Sequence, residues 1–414
     1  MVESPRAGWR GCSQGTRVVW VVFAAVLATF LVPAHAQASQ AFLSGGVKTP
    51  LTVSYHAVAG EANRVLILRA PDAIRVIDSG ATIFAGGGCT SVSPNEVSCE
   101  KAARVAVVAG DLADSVTIGG LLPTFVDGGD GNDTLEGGDG PDFLSGGPGA
   151  DVLKGGVAFD ATGPFGLDVL EGGEGDDDLH PAEDSRCLLR GGPGADTFHG
   201  GRRFTVVDYS DYTVPVVASA DGLPNDGAAG EGDNLLSAEF RVQGGSGGDT
   251  VTGFQFAQGN GGDDHLTGHS LQGDAGDDTL RALGTFVSLV GGPGNDTILG
   301  GRSGDLIDGG PGRDLVRGGP GGDLIDGGRG KDLLHGGPGS DTLAGGADSD
   351  VIQGWTGRDR LFGGRGRDLV RGGRGDDSFF LRDGRRDTAN GGGGSDRARI
   401  DSGLDRVRLI ERLF

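Results

Sequence analysis

A nine-residue period dominates the C-terminal third of the sequence. Ten nonapeptides follow one another across residues 291–380 without a change of register. Each carries Asp at its sixth position and an apolar residue at its eighth, and most begin with Gly-Gly and have another Gly at the fourth position. A fixed period of this kind predicts short, equivalent units stacked on one another, because a single unit is too small to bury a core.

Less regular copies of the same nonapeptide lie on both sides of this array. Their first residues are Gly128, Gly137, Gly146, Gly172, Gly191, Gly244, Gly259, Gly273 and Gly391. We therefore divide the chain into a targeting segment (1–36), a β-rich N-terminal region (37–126), a first, interrupted array (127–199), a spacer (200–243), a second, degenerate array (244–290), a third array (291–380) and a degenerate repeat with a C-terminal cap (381–414).

The composition excludes an ordinary globular core. Glycine supplies 85 of the 414 residues, whereas Trp, Tyr and Phe together supply 24. Glycine buries no side chain and loses the most backbone entropy on folding. Regularly spaced Leu, Val and Ile nevertheless argue against simple disorder. In the N-terminal region, residues 51–55, 64–68, 74–77 and 104–108 are β-rich runs between Gly, Pro and Asp, and they predict strands.

Residues 1–36 have the pattern of a cleaved targeting segment. Three Arg residues precede an apolar run over residues 18–32 that only Thr29 interrupts, and Ala34-His35-Ala36 provides a small-x-small cleavage site. The alternative is an uncleaved anchor, but the run is short for a bilayer span of about 20 residues. We expect a secreted, extracellular protein with no membrane span after cleavage.

The charge balance favours cations as partners. The formal net charge is −23 at pH 7, which argues against nucleic acid. The acidic excess lies upstream of residue 291, whereas Arg nearly balances Asp and Glu in the third array and beyond.

The cysteines predict one short disulfide. Cys89 and Cys99 flank the turn sequence Ser93-Pro94-Asn95, so they can join the two arms of a hairpin in an oxidising compartment. Cys187 is left single, and we expect it to be a small buried side chain rather than a reactive thiol.

Each nonapeptide divides into two parts with different chemistry. Positions seven to nine predict a three-residue strand, and positions one to six predict a turn whose glycines permit positive φ and let carbonyl oxygens converge. Calcium takes six to eight hard oxygen ligands, which such carbonyls and the sixth-position carboxylate offer. One turn has too few ligands, so two stacked turns are needed.

The units resemble the RTX, or hemolysin-type, calcium-binding nonapeptide Gly-Gly-x-Gly-x-Asp-x-apolar-x of bacterial proteins. The resemblance implies an all-β, right-handed parallel β-roll with two nonapeptides per coil, and Ca²⁺ between the turns of units n and n+2. The implied carboxylate ligands in the third array are Asp296, Asp305, Asp314, Asp323, Asp332, Asp341, Asp350, Asp359, Asp368 and Asp377. In the weaker arrays they are Asp133, Asp142, Asp151, Asp177, Asp196, Asp249, Asp264 and Asp278.

Simple magnitudes indicate that folding needs the ion. One buried aliphatic side chain per unit contributes roughly 1.5–3 kcal/mol, whereas ordering nine backbones costs on the order of 9 kcal/mol or more. Hydrogen bonds between strands, at roughly 0.5–1.5 kcal/mol each, narrow this gap without closing it. Stacked coils also place like carboxylates about 4.8 Å apart. Their repulsion opposes folding without Ca²⁺.

Other candidate sites have weaker support. Gly-Gly-Ser-Gly-Gly at residues 244–248 matches a nucleophile pattern around Ser246, but it lies in a repeat turn without the strand-turn-helix context. The histidines follow no metal-site motif, including His265 and His269, so we expect no transition-metal site. Trp355 replaces a glycine and suggests a packing variant. Arg at variable turn positions suggests charge balancing, or binding to an acidic polymer.

These patterns predict a secreted calcium-binding protein with a structural or adhesive role and no catalysis. Its expected partners are calcium ions and cell-surface or matrix polymers. The alternative is an exoenzyme or toxin that uses the arrays as a secretion and folding aid, with residues 37–126 as the candidate catalytic segment.

Overall fold

The computed structural model describes residues 39–44, 52–70, 72–100, 102–156, 167–182, 186–200 and 204–413. The targeting segment predicted at residues 1–36 lies outside these ranges. Residues from Ser39 onward form one compact unit. The described residues contain strands and no helix, and they wind into a β-solenoid of about 16 turns. They accordingly include no helix long and apolar enough to cross a membrane. The expected fold, an all-β right-handed parallel β-roll with a β-rich N-terminal region, is confirmed.

The N-terminal region combines antiparallel and parallel strands. Its strands are β1 (Ser39–Ser44), β2 (Thr52–His56), β3 (Arg64–Arg69), β4 (Ala73–Asp78), β5 (Ile83–Ala85), β6 (Cys89–Ser93), β7 (Glu96–Glu100), β8 (Arg104–Asp111) and β9 (Ser115–Gly119). Strands β3, β4, β7 and β6 pair antiparallel in that order. Strand β2 pairs parallel with β8, and β3 pairs parallel with β9. The parallel coils therefore begin upstream of the first nonapeptide, and the four runs predicted as strands lie in β2, β3, β4 and β8.

The first array and the spacer continue these coils. Their strands are β10 (Thr124–Asp130), β11 (Thr134–Glu136), β12 (Asp142–Pro148), β13 (Val152–Lys154), β14 (Leu167–Glu174), β15 (Asp178–His180), β16 (Arg186–Arg190), β17 (Thr197–Phe198), β18 (Thr205–Asp208), β19 (Val216–Ser219), β20 (Gly227–Ala228), β21 (Asn234–Leu235) and β22 (Arg241–Gln243). Spacer strand β18 pairs parallel with β16 and with β22, while β19 and β20 form an antiparallel pair. The spacer is thus part of the roll although its sequence has no period.

The second and third arrays and the C-terminal end complete the roll. Their strands are β23 (Thr250–Gly261), β24 (His265–Ala275), β25 (Thr279–Ala282), β26 (Ser288–Val290), β27 (Thr297–Leu299), β28 (Leu306–Pro311), β29 (Leu315–Arg317), β30 (Leu324–Arg329), β31 (Leu333–Pro338), β32 (Thr342–Ala347), β33 (Val351–Thr356), β34 (Arg360–Arg365), β35 (Leu369–Arg374), β36 (Ser378–Phe380), β37 (Thr388–Gly393), β38 (Arg397–Arg399), β39 (Arg406–Arg408) and β40 (Arg412–Leu413). Strands β39 and β40 pair with β37 and β38, so the tail covers the last coil.

In the third array two nonapeptides make one coil, as the resemblance implies. Strand β28 pairs in parallel with β30, with Leu306 opposite Leu324, and β29 pairs with β31. Equivalent residues of units n and n+2 therefore lie side by side. Many strands are longer than the three residues predicted, because the two glycines that open the next unit continue the pairing, as between Gly310 and Gly328.

The core is one continuous row of eighth-position side chains. In the third array every eighth-position residue, from Ile298 to Phe379, is at most 1% exposed. Side chains alternate across the strand, so the sixth-position Asp and the first-position Gly of the next unit face the same interior. This alternation brings the acidic side chains inside the roll.

The cysteines lie as predicted. Cys89 and Cys99 face each other across β6 and β7 and form a disulfide. Cys187 is free and fully buried.

Candidate calcium-binding columns

The sixth-position aspartates are buried, although the charge of a carboxylate normally keeps it in solvent. All eighteen predicted ligands are at most 2% exposed. Each lies at the end of a repeat turn, where the following residue begins the next strand, except that Asp142 itself is the first residue of β12. The structure therefore brings every predicted ligand to the interior edge of a coil.

Backbone hydrogen bonds join these aspartates into columns. In the third array the amide of Asp296 donates to Oδ1 of Asp314 at 2.9 Å, and the amide of Asp314 donates to Oδ1 of Asp332 at 2.9 Å. The same bond links aspartates of successive coils along three long columns, and in the third array these aspartates belong to units n and n+2. The first-array column contains Asp114, Asp133, Asp151, Asp177, Asp196 and Asp233. Column A contains Asp249, Asp264, Asp278, Asp296, Asp314, Asp332, Asp350, Asp368, Asp387 and Asp405. Column B contains Asp305, Asp323, Asp341, Asp359, Asp377, Asp396 and Glu411.

The second carboxylate oxygen is the unusual feature of these columns. In sixteen of the eighteen predicted ligands Oδ2 is buried and receives no hydrogen bond from the protein. A buried polar atom without a partner costs about 1–3 kcal/mol, and more when it is charged. The columns thus repeat this energetic cost at each aspartate. A cation bound to the Oδ2 atoms would remove the cost.

Backbone carbonyl oxygens converge on the same places. At Gly309 a Cβ atom would lie 2.6 Å from Oδ2 of Asp314 and 2.7 Å from the carbonyl oxygen of Gly327, which belongs to the next coil. Gly327 stands in the same relation to Asp332 and Gly345, at 2.6 and 2.8 Å. A side chain at the first position would fill this oxygen-lined cradle, which accounts for the glycine there.

This donor set fits calcium. Carboxylate and carbonyl oxygens supplied by two coils are the hard ligands that Ca²⁺ takes in numbers of six to eight. The sixth-position aspartates and the carbonyls of the turn glycines would hold the ion. Bound Ca²⁺ would supply the positive charge that neutralises neighbouring carboxylates.

Two predicted ligands differ from the rest. Oδ2 of Asp249 accepts the Gly245 amide at 2.7 Å, and Oδ2 of Asp305 accepts the Gly301 amide at 2.6 Å. Gly245 and Gly301 occupy the second position of their units but lack the positive φ found at Gly292 and Gly310. Their N–H groups therefore point towards the aspartate of the same unit. These two carboxylates are satisfied within their turns and need a cation least.

Burial changes the acidity of the columns. Burial raises the pKa of Asp296 to about 7, the Asp278 amide opposes the rise, and the nearby carboxylates of Asp278 and Asp314 add to it. Burial raises the pKa of Asp350 to about 7 and that of Asp264 to about 8 in the same way. Near neutral pH these groups are therefore balanced between the neutral and charged forms, and a bound cation favours the charged form.

Sequence reasoning missed five buried members of the acidic set. They are Asp114, Asp168, Asp233, Asp387 and Asp396. Each is followed two residues later by a buried apolar residue, as Asp233 is by Leu235. That three-residue pattern was the available signal. Degraded Gly turns concealed it at Asp114, Asp168, Asp233 and Asp387, whereas Asp396 ends an intact Gly turn in the copy that begins at Gly391 and was simply overlooked.

The N-terminal region and the spacer satisfy carboxylates with tyrosines instead. Tyr55 donates to Oδ2 of Asp78 at 2.6 Å, and Tyr209 donates to Oδ2 of Asp233 at 2.9 Å. Cys187 lies opposite Asp168 in the register of β14 and β16, where another aspartate would be expected. The acidic column containing Asp142 and Asp168 stops at this thiol.

The other candidate residues lie in ordinary repeat positions. Ser246 is in the turn between β22 and β23, and its amide donates to the carbonyl of Tyr212 at 2.9 Å. Trp355 lies between Gly337 and Gly373 in the register, is half exposed, and has a φ of 83°.

Comparison with known proteins agrees with this geometry. A family model described as the RTX calcium-binding nonapeptide repeat (four copies) matches residues 127–160, 165–184, 188–202, 288–316, 317–352 and 353–386. No curated protein matches the chain. The second array lies almost wholly outside the matched ranges, yet the structure places Asp249, Asp264 and Asp278 in column A.

Proposed function

Because this chain is an RTX calcium-binding repeat protein carrying the nonapeptide in multiple copies, we propose that it is a secreted protein that folds when it meets extracellular Ca²⁺ and then serves a structural or adhesive role. The observation that carries the proposal is the buried Oδ2 atom without a protein donor, repeated through sixteen predicted ligands. Such a chain is unstable where Ca²⁺ is scarce and stable where it is abundant.

Secretion is supported by the sequence of residues 1–36 and by the disulfide between Cys89 and Cys99. The disulfide suits an oxidising compartment. Expression of the full chain in a bacterial host, followed by sequencing of the exported product, tests this part. We expect the exported chain to begin at Gln37. A product that retains residues 1–36 in the cell membrane would contradict secretion.

The adhesive role is supported by a basic and aromatic face near the C-terminal end. Phe362 and Phe380 stack with ring centroids 4.4 Å apart, and Arg360 and Arg399 lie over these rings. Arginines fixed on aromatic rings can bind sulfate or carboxylate groups of a polymer with little loss of side-chain entropy.

Binding of the calcium-loaded chain to immobilised heparin, used as a model polyanion, tests the adhesive role. We expect Arg360→Gln with Arg399→Gln to weaken binding more than Arg358→Gln with Arg313→Gln, a pair of turn arginines. Equal effects of the two double substitutions would mean that only overall charge matters.

The alternative, an exoenzyme or toxin, has less support. Ser246 lies in a repeat turn between two strands, and we propose that the chain has no catalytic function. A screen of the calcium-loaded chain against ester, peptide and glycoside substrates tests this proposal. Turnover of any of them by the purified chain would contradict it, and the Ser246→Ala variant would show whether Ser246 carries that turnover.

A further inference from the structure

A cluster of three side chains lies on the outer face of the first array, away from the interior columns. Asp178 and His180 belong to β15, and His199 directly follows β17. Leu179 and Phe198 are opposite each other in the register and fully buried. The residues on either side of them therefore face outward, and the two histidines are neighbours on successive coils.

The three side chains converge on one another. Nε2 of His180 lies 3.0 Å from one carboxylate oxygen of Asp178, and Nε2 of His199 lies 2.6 Å from the other. The imidazole rings are stacked with centroids 3.8 Å apart. One ligand atom from each residue lies within 4.8 Å of the other two. Both rings thus present the same nitrogen towards the same carboxylate.

We propose that Asp178, His180 and His199 bind a divalent transition-metal ion of the Zn²⁺ class. Two imidazole nitrogens and one carboxylate are donors that suit Zn²⁺, Cu²⁺ or Ni²⁺ and not the oxygen-seeking Ca²⁺. Ligand atoms around tetrahedral zinc lie about 3.3 Å apart. Small side-chain rotations would therefore bring the two imidazole nitrogens and the carboxylate oxygen to the spacing that zinc requires. The side chains are about one-third to two-fifths exposed, which leaves the fourth position open to water.

This site revises the expectation that the histidines hold no transition metal. His180 and His199 are the ninth residues of the units that begin at Gly172 and Gly191, but residues 181–190 between these units fit no repeat, so no metal-site motif connects the two histidines. Only the register of β15 and β17 shows that they are neighbours. On the other side of His180 the register places Lys154, which is exposed to solvent.

The site forms only when two coils stack. Asp177 and Asp196, which precede the two strands, belong to the first-array column, and the Asp177 amide donates to Oδ1 of Asp196 at 2.9 Å. Calcium binding to this column and zinc binding to the outer face would stabilise the same stacked pair. Each ion therefore strengthens binding of the other. This coupling rests on the proposed calcium-dependent folding, whereas zinc binding to the folded roll does not.

Calorimetric titration of the full chain with zinc chloride, at saturating Ca²⁺ and without chelators, tests the site. We expect the wild type to bind one zinc ion that His180→Gln and His199→Gln each lose. The matched control is His335→Gln, a lone ninth-position histidine whose register neighbours are Arg317 and Gln353. This variant should bind zinc as the wild type does, and far-UV dichroism should show all four proteins equally folded.

Absence of zinc binding by the folded wild type, or equal binding by the His180 and His199 variants, would overturn the proposal. The coupling has a separate readout, the Ca²⁺ midpoint of folding in chelator-free buffer. Zinc should lower that midpoint in the wild type and leave it unchanged in His180→Gln. An unchanged wild-type midpoint, with zinc bound at saturating Ca²⁺, would contradict the coupling alone.

Discussion

At the residue scale, the sixth-position aspartate and the first-position glycine act as a pair. The aspartate places a buried oxygen beside the glycine, and the missing Cβ leaves space between that oxygen and a carbonyl of the next coil. Neither residue has this role alone. The glycine is required for close approach, and not only for backbone freedom.

Gly309→Ala tests this pairing. The new Cβ would lie 2.6 Å from Oδ2 of Asp314 and 2.7 Å from the Gly327 carbonyl oxygen, so the coils must separate. We expect the free energy of unfolding in saturating Ca²⁺ to fall by roughly 1–3 kcal/mol, as for other overpacked sites. Urea denaturation measures it.

The matched control is Gly393→Ala, where a Cβ meets nothing within 4 Å. It should change the free energy of unfolding by no more than about 0.5 kcal/mol. Equal losses in the two variants would show that the stability does not depend on the missing Cβ at the first position.

Trp355 carries backbone strain. It occupies a second position, where other units have glycine, and has a φ of 83°. A left-handed conformation costs an ordinary L-residue roughly 1–2 kcal/mol. We expect Trp355→Gly to raise the free energy of unfolding by about 1 kcal/mol in urea denaturation at saturating Ca²⁺. Asp348→Gly, at a φ of 78°, should gain less, because Asp tolerates this conformation. A loss of stability in Trp355→Gly would mean that the indole packing outweighs the strain.

At the element scale, the columns are the units of calcium binding. Columns A and B run through the third array on alternate units. Among the described residues of the first array, the first-array column is accompanied by the short run of Asp142 and Asp168. Solenoid stability is approximately a sum over neighbouring repeats, so a break inside a long column separates more coils than a break near an end.

Paired substitutions compare the columns. Asp332 and Asp350 are consecutive members of column A, and Asp133 and Asp151 are consecutive members of the first-array column. We expect Asp332→Ala with Asp350→Ala to weaken calcium-driven folding more than Asp133→Ala with Asp151→Ala. Calorimetric calcium titration and hydrogen exchange measure the losses. Equal losses, or a larger loss from the N-terminal pair, would mean that the third array is not the dominant block.

The regular parts of this arrangement could be predicted from the sequence, because the period fixes them. The period places Val316, an eighth-position residue, at the centre of a three-residue strand, so its burial could be predicted without coordinates. The sixth-position Asp314 was assigned to the turn, and its burial was not predicted. The coil of two units followed from the family resemblance. The buried row of eighth-position side chains in the third array is therefore the one expected.

The irregular parts could not be predicted, because they depend on which strands become neighbours. The spacer has no period, so its sequence does not show that β18 continues the roll. The pattern of Asp233 two residues before Leu235 does not by itself show that Asp233 ends the first-array column. The position of His199 beside His180 follows from the register of β15 and β17. The position of Cys187 beside Asp168 follows from the register of β14 and β16. Neither register could be predicted from the sequence. The satisfied carboxylate of Asp305 depends on a local φ that a nearly intact repeat conceals.

At the scale of the whole molecule, the fold concentrates negative charge in its interior. Repeated buried carboxylates make the calcium-free roll sensitive to pH. Burial raises the pKa of Asp296, Asp314 and Asp350 to about 7 in the folded chain, against about 3.9 in an unfolded chain. Groups with raised pKa stabilise the fold fully below the unfolded value, and this contribution is lost as pH rises through the folded value.

The calcium-free chain should therefore gain β structure as pH falls from about 8 to about 5. The Ca²⁺ midpoint should rise over the same interval, because protons compete with the ion for the carboxylates. Far-UV dichroism in chelator at a series of pH values measures the first effect, and calcium titrations measure the second. A calcium-free spectrum and a Ca²⁺ midpoint that both stay constant across this interval would contradict the burial of the columns.

Calcium-coupled folding is tested most directly by far-UV circular dichroism of the chain lacking residues 1–36, at neutral pH. In EGTA we expect a largely disordered spectrum, and excess millimolar Ca²⁺ should restore the β signal cooperatively. Magnesium should not replace it, because Mg²⁺ demands a tight octahedron and retains its waters. Identical β spectra in EGTA, Mg²⁺ and Ca²⁺ would contradict the claim that the ion drives folding.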